Sequence, residues 1–154
     1  SVISIGSRGN SYISKPYYVM KESQVIPFTA FAPAGTVLVS REKAKTVVEM
    51  NSSENKKIDI EVFAPSGGDY FIDIRYANGF NHAYCPTVSV EANTHRQGTI
   101  VMPCRGEEEW LNFGWSNIIK AELMRGRNII TVQRIGYLGT ELPVLLQSIR
   151  ISKK

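Results

Sequence analysis

The sequence predicts an all-β fold, a sandwich or barrel of antiparallel strands, on two observations. Apolar and polar residues alternate at period two in several short runs, as at Ile58, Ile60 and Val62, and this alternation is typical of antiparallel strands with one buried face. The runs stand about 8–12 residues apart with turn residues between them, the spacing of a β-sandwich or barrel. Helical periodicity is almost absent, so helices contribute little to the predicted fold.

Each predicted strand has its own pattern, and each break has its own turn chemistry. The apolar runs, in chain order, are Ile58–Val62, Tyr70–Tyr76, Val88–Val90, Ala121–Leu123, Ile129–Val132 and Ile149–Ile151. The breaks between them include Pro65–Gly68, Ala77–Gly79, Ala92–Gly98 and Arg125–Asn128. Asn and Gly tolerate the left-handed backbone that tight turns require, so these breaks predict turns. Tyr70 and Tyr76 are predicted in the core, with their hydroxyls bonded at its rim.

Two strands flank the cysteines, and their pairing bears on a disulfide. Pairing Val88 with Met102 and Val90 with Ile100 keeps all four side chains on the core face. In this register Cys85 lies one residue off from Cys104 and points to the other face. A disulfide then requires a bulge that turns Cys85 around, because the bond needs converging Cβ vectors. Otherwise both are small buried hydrophobic residues.

The first part of the chain differs from the rest. Residues 1–45 are interrupted by three prolines and carry two apolar patches, Tyr17–Met20 and Thr36–Val39. We expect an N-terminal extension with short edge strands that packs on the sandwich or on a neighbouring domain. The sandwich itself is expected over residues 46–154.

Composition and charge exclude several functional classes. The chain has 154 residues, which suits one domain, and its apolar runs are too short to span a membrane. The 18 basic residues give a net charge of +4 but are scattered, which argues against nucleic-acid binding. A histidine-based catalytic or zinc centre would have to use His82, His95, Cys85 and Cys104. The chain begins without Met, so we expect a processed or excised chain whose targeting signal lies outside it.

One segment carries a family resemblance. Residues 68–79, Gly-Asp-Tyr-Phe-Ile-Asp-Ile-Arg-Tyr-Ala-Asn-Gly, resemble the signature G-x-Y-x-L/I-x-I/V-R-Y-A-N-G of carbohydrate-binding modules of the family 6 and family 35 type. Further similar elements follow in the same order: the strand Thr87–Glu91, a loop with Trp110 and Trp115, the stretch Ile119–Val132 and the closing strand Leu146–Ile151. The resemblance covers roughly residues 46–152.

The resemblance implies a jelly-roll β-sandwich that holds polysaccharide or oligosaccharide and performs no chemistry. It implies an accessory domain whose partner is the parent catalytic domain of a larger glycoside hydrolase, located in the secreted, periplasmic or cell-surface space. These modules commonly hold a structural calcium with a Glu of an Ala-Glu strand and an Asp of the last strand. No Ala-Glu precedes the sandwich and Gln147 replaces the Asp, so calcium is disfavoured and no other cofactor is expected.

Two stretches hold the candidate sugar-binding residues. An aromatic plate covers the C–H face of a sugar ring, while amides hydrogen-bond its hydroxyls. We expect Trp110 to stack on the sugar and Trp115 to lie in the core. The remaining candidates are three aromatic residues and two amides: Phe80, Tyr84, Phe113, Asn78 and Asn112. Turn formation alone also accounts for Asn78-Gly79, and both tryptophans would also serve as core anchors.

The alternative function is a structural or docking β-sandwich of a polysaccharide-degrading enzyme that binds no sugar of its own. An exposed Trp110 in a cleft favours sugar binding, whereas full burial of Trp110 and Trp115 favours a scaffold. A hydrolase would need carboxylates that converge in one pocket, and Glu107–Glu109 are contiguous along the chain. A Cys85–His82 nucleophile pair lacks a rigid element to position it.

Overall fold

The computed structural model shows two β-sheets packed face to face. It describes residues 7–8, 12–13, 18–19, 23–31, 35–38, 44–50, 56–136 and 143–154. In chain order the strands are β1 (Ser7–Arg8), β2 (Tyr12–Ile13), β3 (Tyr18–Val19), β4 (Ser23–Pro27), β5 (Gly35–Leu38), β6 (Ala44–Met50), β7 (Lys57–Ala64), β8 (Gly68–Ala77), β9 (Thr87–Ala92), β10 (His95–Val101), β11 (Gly114–Trp115), β12 (Ile119–Leu123), β13 (Gly126–Ile135) and β14 (Val144–Lys153). A short 3-10 helix, Phe28–Ala30, follows β4.

The two large sheets contain five and seven strands. The five-stranded sheet has the order β10-β9-β13-β7-β3, and the seven-stranded sheet has the central order β11-β8-β14-β6-β5. In the second sheet β12 also lies along β8 and β4 also lies along β14, while β1 and β2 form a separate pair. The pairings are antiparallel apart from the short pair β3–β7. The predicted all-β antiparallel sandwich is confirmed.

The core lies between the sheets and is built by the alternation seen in the sequence. Ile58, Ile60 and Val62 of β7 face the alternate residues of β8 across it. Tyr70 and Tyr76 are buried there, and their hydroxyls donate to the carbonyl oxygens of Ser66 and Pro103, both at 2.7 Å. The interpretation of these tyrosines as core residues bonded at the rim is therefore confirmed.

The first 45 residues contribute to this sandwich where they are described. Strand β4 pairs with β14 along five residues, and Ile26 and Phe28 are fully buried in the core. The strands Tyr18–Val19 and Gly35–Leu38 lie in the two apolar patches that predicted short strands. The prolines at 16 and 33 lie outside the described residues. The division of the chain at residue 46 stays a prediction.

The register of β9 and β10 differs from the predicted one. Val88 pairs with Ile100, so the predicted pairing of Val88 with Met102 is wrong by two residues. Asn93 and Thr94 both have positive φ, at 52° and 74°, and form a two-residue turn where a longer return loop was predicted. A register shift between Arg96 and Gly98 then restores the alternation.

The two cysteines are free in this structure. Cys85 is exposed, and Cys104 is half-buried with its Sγ accepting a hydrogen bond from the Gly106 amide at 3.3 Å. The predicted one-residue offset survives the change of register: the Met102 amide donates to the Pro86 carbonyl at 2.9 Å, and the same register continued puts Cys104 opposite Tyr84, next to Cys85. Cys85 therefore does not behave as the buried hydrophobic residue considered from the sequence.

Side-chain amides join the two sheets along one side of the sandwich, where β10 and β12 are neighbours. Asn117 Oδ1 accepts from the Val101 amide at 2.9 Å, and Asn117 Nδ2 donates to the Thr99 carbonyl at 3.1 Å. Gln97 Oε1 accepts from the Glu122 amide at 2.9 Å. These bonds satisfy backbone groups that an edge strand would otherwise leave open to another chain.

We predict that Asn117→Ala lowers the free energy of unfolding by about 1–2 kcal/mol, because two hydrogen bonds to the β10 edge are lost at an exposed position. Urea denaturation measures this loss. Asn117→Asp keeps the acceptor and loses the donor, so it should lose about half as much. Equal stability of all three proteins would show that the edge bonds contribute nothing.

Candidate functional site

The six residues predicted to bind sugar lie in two loops at one end of the sandwich. Strand β8 ends there and β9 begins there, so residues 78–86 form the first loop. Strand β10 also ends there, and residues 102–113 form the second loop before β11. The candidates separated by up to 35 positions in sequence are thereby brought to the same end of the fold, which we call the loop end.

The side chain of Asn78 ties the two loops together. Its Nδ2 donates to the carbonyl oxygens of Tyr84, at 3.1 Å, and Met102, at 3.0 Å, and its Oδ1 accepts from the Phe80 amide at 3.0 Å. Asn78 is fully buried. Because the side chain of Asn78 is enclosed and its amide bonds to the protein backbone, Asn78 shapes the loops and is not accessible to a ligand.

The backbone carbonyls of Asn78 and Gly79 also connect the two loops. The Arg105 amide donates to the Asn78 carbonyl at 3.1 Å, and the Glu108 amide donates to the Gly79 carbonyl at 2.6 Å. A Cβ at Gly79 would lie 2.9 Å from the Glu109 nitrogen and 3.0 Å from Trp110 Cδ1. Only glycine allows this approach, so the Asn-Gly pair sets the distance between the loops.

Loop 102–113 is also closed within itself. Arg105 Nε donates to the Asn112 carbonyl at 3.0 Å, and Asn112 Nδ2 donates to the Arg105 carbonyl. Asn112 is exposed, so its side chain lies at the surface while its amide nitrogen holds the loop. The acidic run at the tip of the loop is exposed, and within the described residues no group of three or more His, Cys, Asp or Glu side chains converges on a metal position.

Phe80 and Tyr84 form an aromatic pair on the first loop. Their ring centroids are 5.5 Å apart and the planes are nearly perpendicular, at 86°. Phe80 is 40% exposed, whereas Tyr84 is buried with its hydroxyl accepting from Arg134 Nη2 at 2.9 Å. Phe80 is thus the most accessible of the predicted rings, and Tyr84 supports it from below.

Trp110 and Phe113 pack on the outer face of the seven-stranded sheet. They cover a small apolar cluster of Val47, Ala77 and Leu145. Phe113 is buried and Trp110 is half-buried. The sequence left open whether Trp110 is an exposed platform or a buried anchor. In the structure it is neither fully exposed nor fully buried.

An open groove of about 480 Å³ runs beside the Phe80–Tyr84 pair. It is lined by residues of the first loop and by the end of β13: Ala83, Tyr84, Cys85, Pro86, Thr87, Arg134, Ile135 and Gly136. Arg134 is only 3% exposed, and its Nη1 donates to the Met50 carbonyl at 3.0 Å. The sequence reasoning missed Arg134. The signal was present, because Ile130, Val132 and Arg134 alternate and place this arginine on the core face.

Two other residues considered from the sequence lie elsewhere. Trp115 was expected in the core, and this prediction is wrong. The residue pairs with Arg75 of β8, and its half-buried ring lies on the outer face of the seven-stranded sheet, in contact with the Arg150 guanidinium. Asn128 is fully buried at the opposite end, where its Oδ1 accepts from the Met124 amide and from Asn93 Nδ2. Asn128 therefore closes a turn.

The position where the resembled modules commonly hold calcium carries different chemistry in this chain. Gln147 Oε1 accepts a hydrogen bond from Arg75 Nε at 2.7 Å. A guanidinium beside this oxygen repels a divalent cation, and calcium prefers several carboxylate oxygens. The residues around Gln147 thus do not fit calcium by charge. The expectation of a module without calcium stays a prediction.

Comparison with known proteins supports the fold from outside the chain. No protein-family model matches the chain, and no curated protein matches it in sequence. A family 35 carbohydrate-binding module from Clostridium thermocellum superimposes with a TM-score of 0.64 at 20% identity, covering 86% of this chain and 100% of that one. The family 35 module from Cellvibrio japonicus Abf62 gives 0.62 at 18% identity, over 85% and 93%. This chain has the fold of those modules.

The jelly-roll sandwich implied by the resemblance is therefore confirmed. The same fold also occurs inside a longer enzyme: isomalto-dextranase from Arthrobacter globiformis T6, in complex with panose, matches with a TM-score of 0.62 at 20% identity. That match covers 90% of this chain and 24% of the enzyme. Among the described residues, no helix has the length and apolar character needed to cross a membrane.

We predict that Asn78→Ala lowers the free energy of unfolding by about 2–4 kcal/mol, because it leaves buried carbonyl groups without donors. The matched control is Asn112→Ala, which removes an exposed amide from the second loop and should cost less than about 1.5 kcal/mol. Thermal and urea unfolding measure both. If the two variants were equally stable, Asn78 would not be the tie between the loops.

Tyr76 predicts a specific dependence of stability on pH. Burial raises the pKa of its hydroxyl above the ordinary value of 10.0, with Arg105 acting in the opposite direction. A raised folded-state pKa means that the unfolded chain loses the proton first, so this contribution is complete below pH 10 and is lost as pH rises through the folded-state pKa. Between those values the slope approaches about 1.4 kcal/mol per pH unit.

Tyr76→Phe removes this group, so its stability should fall less steeply than that of the wild type between pH 10 and 11. Urea unfolding at fixed temperature over that range gives the two slopes. Parallel slopes would show that the Tyr76 hydroxyl ionises equally in the folded and unfolded chains.

Proposed function

We propose that the chain is a non-catalytic carbohydrate-binding module that holds polysaccharide or oligosaccharide at the loop end. The observation that carries this proposal is the partly exposed Phe80 ring, seated on Tyr84 beside a groove with the buried Arg134 at its base. The half-buried Trp110 ring lies against Gly79, the residue before Phe80, and is the second aromatic candidate at this end. The accessible ring offers a surface to the C–H face of a sugar, and Thr87 in the groove offers a hydroxyl to its rim.

The rigidity of the loops supports binding rather than simple exposure. The hydrogen bonds of Asn78 and Arg105 hold both loops in one arrangement before any ligand arrives. A surface that is already ordered loses less conformational entropy on binding. Asn112 is exposed on the second loop, where its Nδ2 is held by the Arg105 carbonyl, so this side chain is also ordered before a ligand arrives.

The distribution of acidic residues supports a role without chemistry. Glu107, Glu108 and Glu109 are exposed on one loop and do not face a carboxylate across the groove in the described part of the chain. Glu107 makes one weak ionic contact, in which its Oε1 lies 4.0 Å from His82 Nε2 and both side chains are mostly exposed. Hydrolysis of a glycosidic bond uses a pair of carboxyl groups on either side of that bond.

We further propose that the module accompanies the catalytic domain of a larger glycoside hydrolase in a secreted, periplasmic or cell-surface setting. The occurrence of this fold within isomalto-dextranase supports that arrangement. Single sugar sites of this size are weak, and attachment to a second binding or catalytic unit raises the effective concentration of the glycan.

A second candidate function is a docking domain without sugar binding. The burial of Asn78, Tyr84 and Phe113 favours it, because half of the six predicted contacts then serve the fold. The accessible Phe80 and the groove favour the first function. The two functions differ in what Phe80 and Trp110 do when a glycan is present.

The experiment is calorimetric titration of the chain with a panel of oligosaccharides, including α-glucans, β-glucans, xylans and mannans. We expect at least one to bind, and Phe80→Ala and Trp110→Ala to weaken it about five- to fiftyfold, as expected for loss of an aromatic contact of about 1–2 kcal/mol. Phe63→Ala is the matched control, because Phe63 has the same 40% exposure and lies on β7 in the other sheet.

The docking function would be favoured if the whole panel gave no heat and left tryptophan fluorescence unchanged. Binding that Phe63→Ala weakens as much as Phe80→Ala would place the site away from the loop end. Each variant is first checked for a wild-type unfolding midpoint, so that a folding defect is not read as a loss of binding.

A further inference from the structure

The outer face of the seven-stranded sheet carries a connected group of charged and aromatic side chains. Alternation along β8 turns Asp73 and Arg75 outward, and alternation along β14 does the same for Arg150. Trp115 of β11 pairs with Arg75 and lies on this face. We call the group of Arg75, Trp115, Gln147 and Arg150 the Trp115 platform.

Arg150 is fixed on the platform by two kinds of contact. Its Nε and Nη2 donate to the two carboxylate oxygens of Asp73, at 3.0 Å and 2.5 Å, and its guanidinium lies 4.0 Å from the centre of the Trp115 ring. The hydrogen bond that Arg150 donates to Asp73 raises the pKa of Arg150. One carboxylate and one indole therefore hold this arginine flat against the sheet.

Arg75 is held differently and keeps free donors. Its Nε donates to Gln147 Oε1 at 2.7 Å, and its guanidinium lies 5.9 Å from the centre of the Trp115 ring. Within the described part of the chain, its two Nη atoms have no hydrogen-bond partner and remain open to solvent. Because Asp73 is engaged by Arg150, the two guanidinium groups around Trp115 leave a net positive charge with donors pointing outward.

We propose that the Trp115 platform is a second binding site, for the acidic groups of an anionic polysaccharide. The Nη atoms of Arg75 match the two oxygens of a carboxylate or a sulfate, the fork geometry that guanidinium groups bind best. Gln147 and Asp73 hold the two arginines in place, so little ordering is needed on binding. The net charge of +4 assists the approach of a polyanion.

This site is separate from the loop end and does not depend on the proposed binding of sugar there. The Trp115 platform would bind the charged groups of a polymer, whereas the loop end would bind the face of a sugar ring. A polysaccharide that carries acidic groups presents both features, so a polymer held at the loop end has a raised effective concentration at the Trp115 platform.

The test is affinity electrophoresis of the intact chain in gels that contain polygalacturonate, dextran sulfate or neutral dextran, at 150 mM salt. We expect retardation by at least one of the two anionic polymers, and the polymer that retards the chain identifies carboxylate or sulfate as the ligand group. Arg75→Gln should weaken this retardation about tenfold in apparent affinity, since charge-assisted hydrogen bonds are lost.

Arg125→Gln is the matched control, because it removes the same charge from an exposed turn at the other end and should change the affinity less than twofold. Arg75→Lys keeps the charge without the fork and should fall between wild type and Arg75→Gln. Arg75→Gln should leave unchanged the calorimetric binding of any neutral oligosaccharide that the loop end holds, which separates this site from the loop end.

The proposal is overturned if neither anionic polymer retards the chain. It is also overturned if Arg75→Gln and Arg125→Gln weaken retardation equally, which would indicate attraction by net charge alone. Retardation by neutral dextran alone would be assigned to the loop end, and the Trp115 platform would then be rejected as an anion site.

Discussion

The geometry of the loop end depends on one buried amide, the side chain of Asn78. It donates to one carbonyl on each side of the gap where β9 and β10 diverge, and it accepts from the residue two positions ahead. Without it, those carbonyls would be buried without donors, which costs about 1–3 kcal/mol for each group. The hydrogen bonds of this amide therefore fix the distance between the two loops, and Gly79 allows that distance to be short.

The position of the aromatic side chains follows from this arrangement. Because Glu109 and Trp110 pack directly over Gly79, the second loop folds back onto the outer face of the seven-stranded sheet. There Trp110 and Phe113 find the apolar cluster at the ends of β6, β8 and β14. The first loop is left to present Phe80, with Tyr84 and Arg134 beneath it. Packing of one loop therefore decides which ring of the other is accessible.

The sequence predicts the sandwich well because alternation reports which face of each strand is buried. It does not report register: a slip of two residues keeps every side chain on its face, so pairing Val88 with Met102 or with Ile100 satisfies the pattern equally. The two-residue turn at Asn93-Thr94 decides between them. Trp115 eluded prediction for a related reason, since a two-residue strand is too short to show a period.

The predicted residues share one end of the fold, and whether they bind sugar there stays a prediction. Motif order brought the two loops together, and the turn chemistry of Asn78-Gly79 already indicated a structural function for that pair. The sequence did not indicate how deeply each loop residue is buried, because these residues lie outside the alternating strands. No pattern distinguishes the enclosed Asn78 from the accessible Phe80. Arg134 shows the reverse: the alternation of Ile130, Val132 and Arg134 indicates the core face, but this signal was missed.

The central claim is that the loop end is the sugar-binding surface, and amide chemical-shift mapping tests it most directly. The isotopically labelled chain is titrated with each oligosaccharide of the panel, and backbone shifts are followed by NMR. The account predicts the largest changes in residues 79–86, 102–113 and 134–136. Changes concentrated at the opposite turns, residues 65–67, 93–94 and 124–125, or no change with any oligosaccharide, would contradict it.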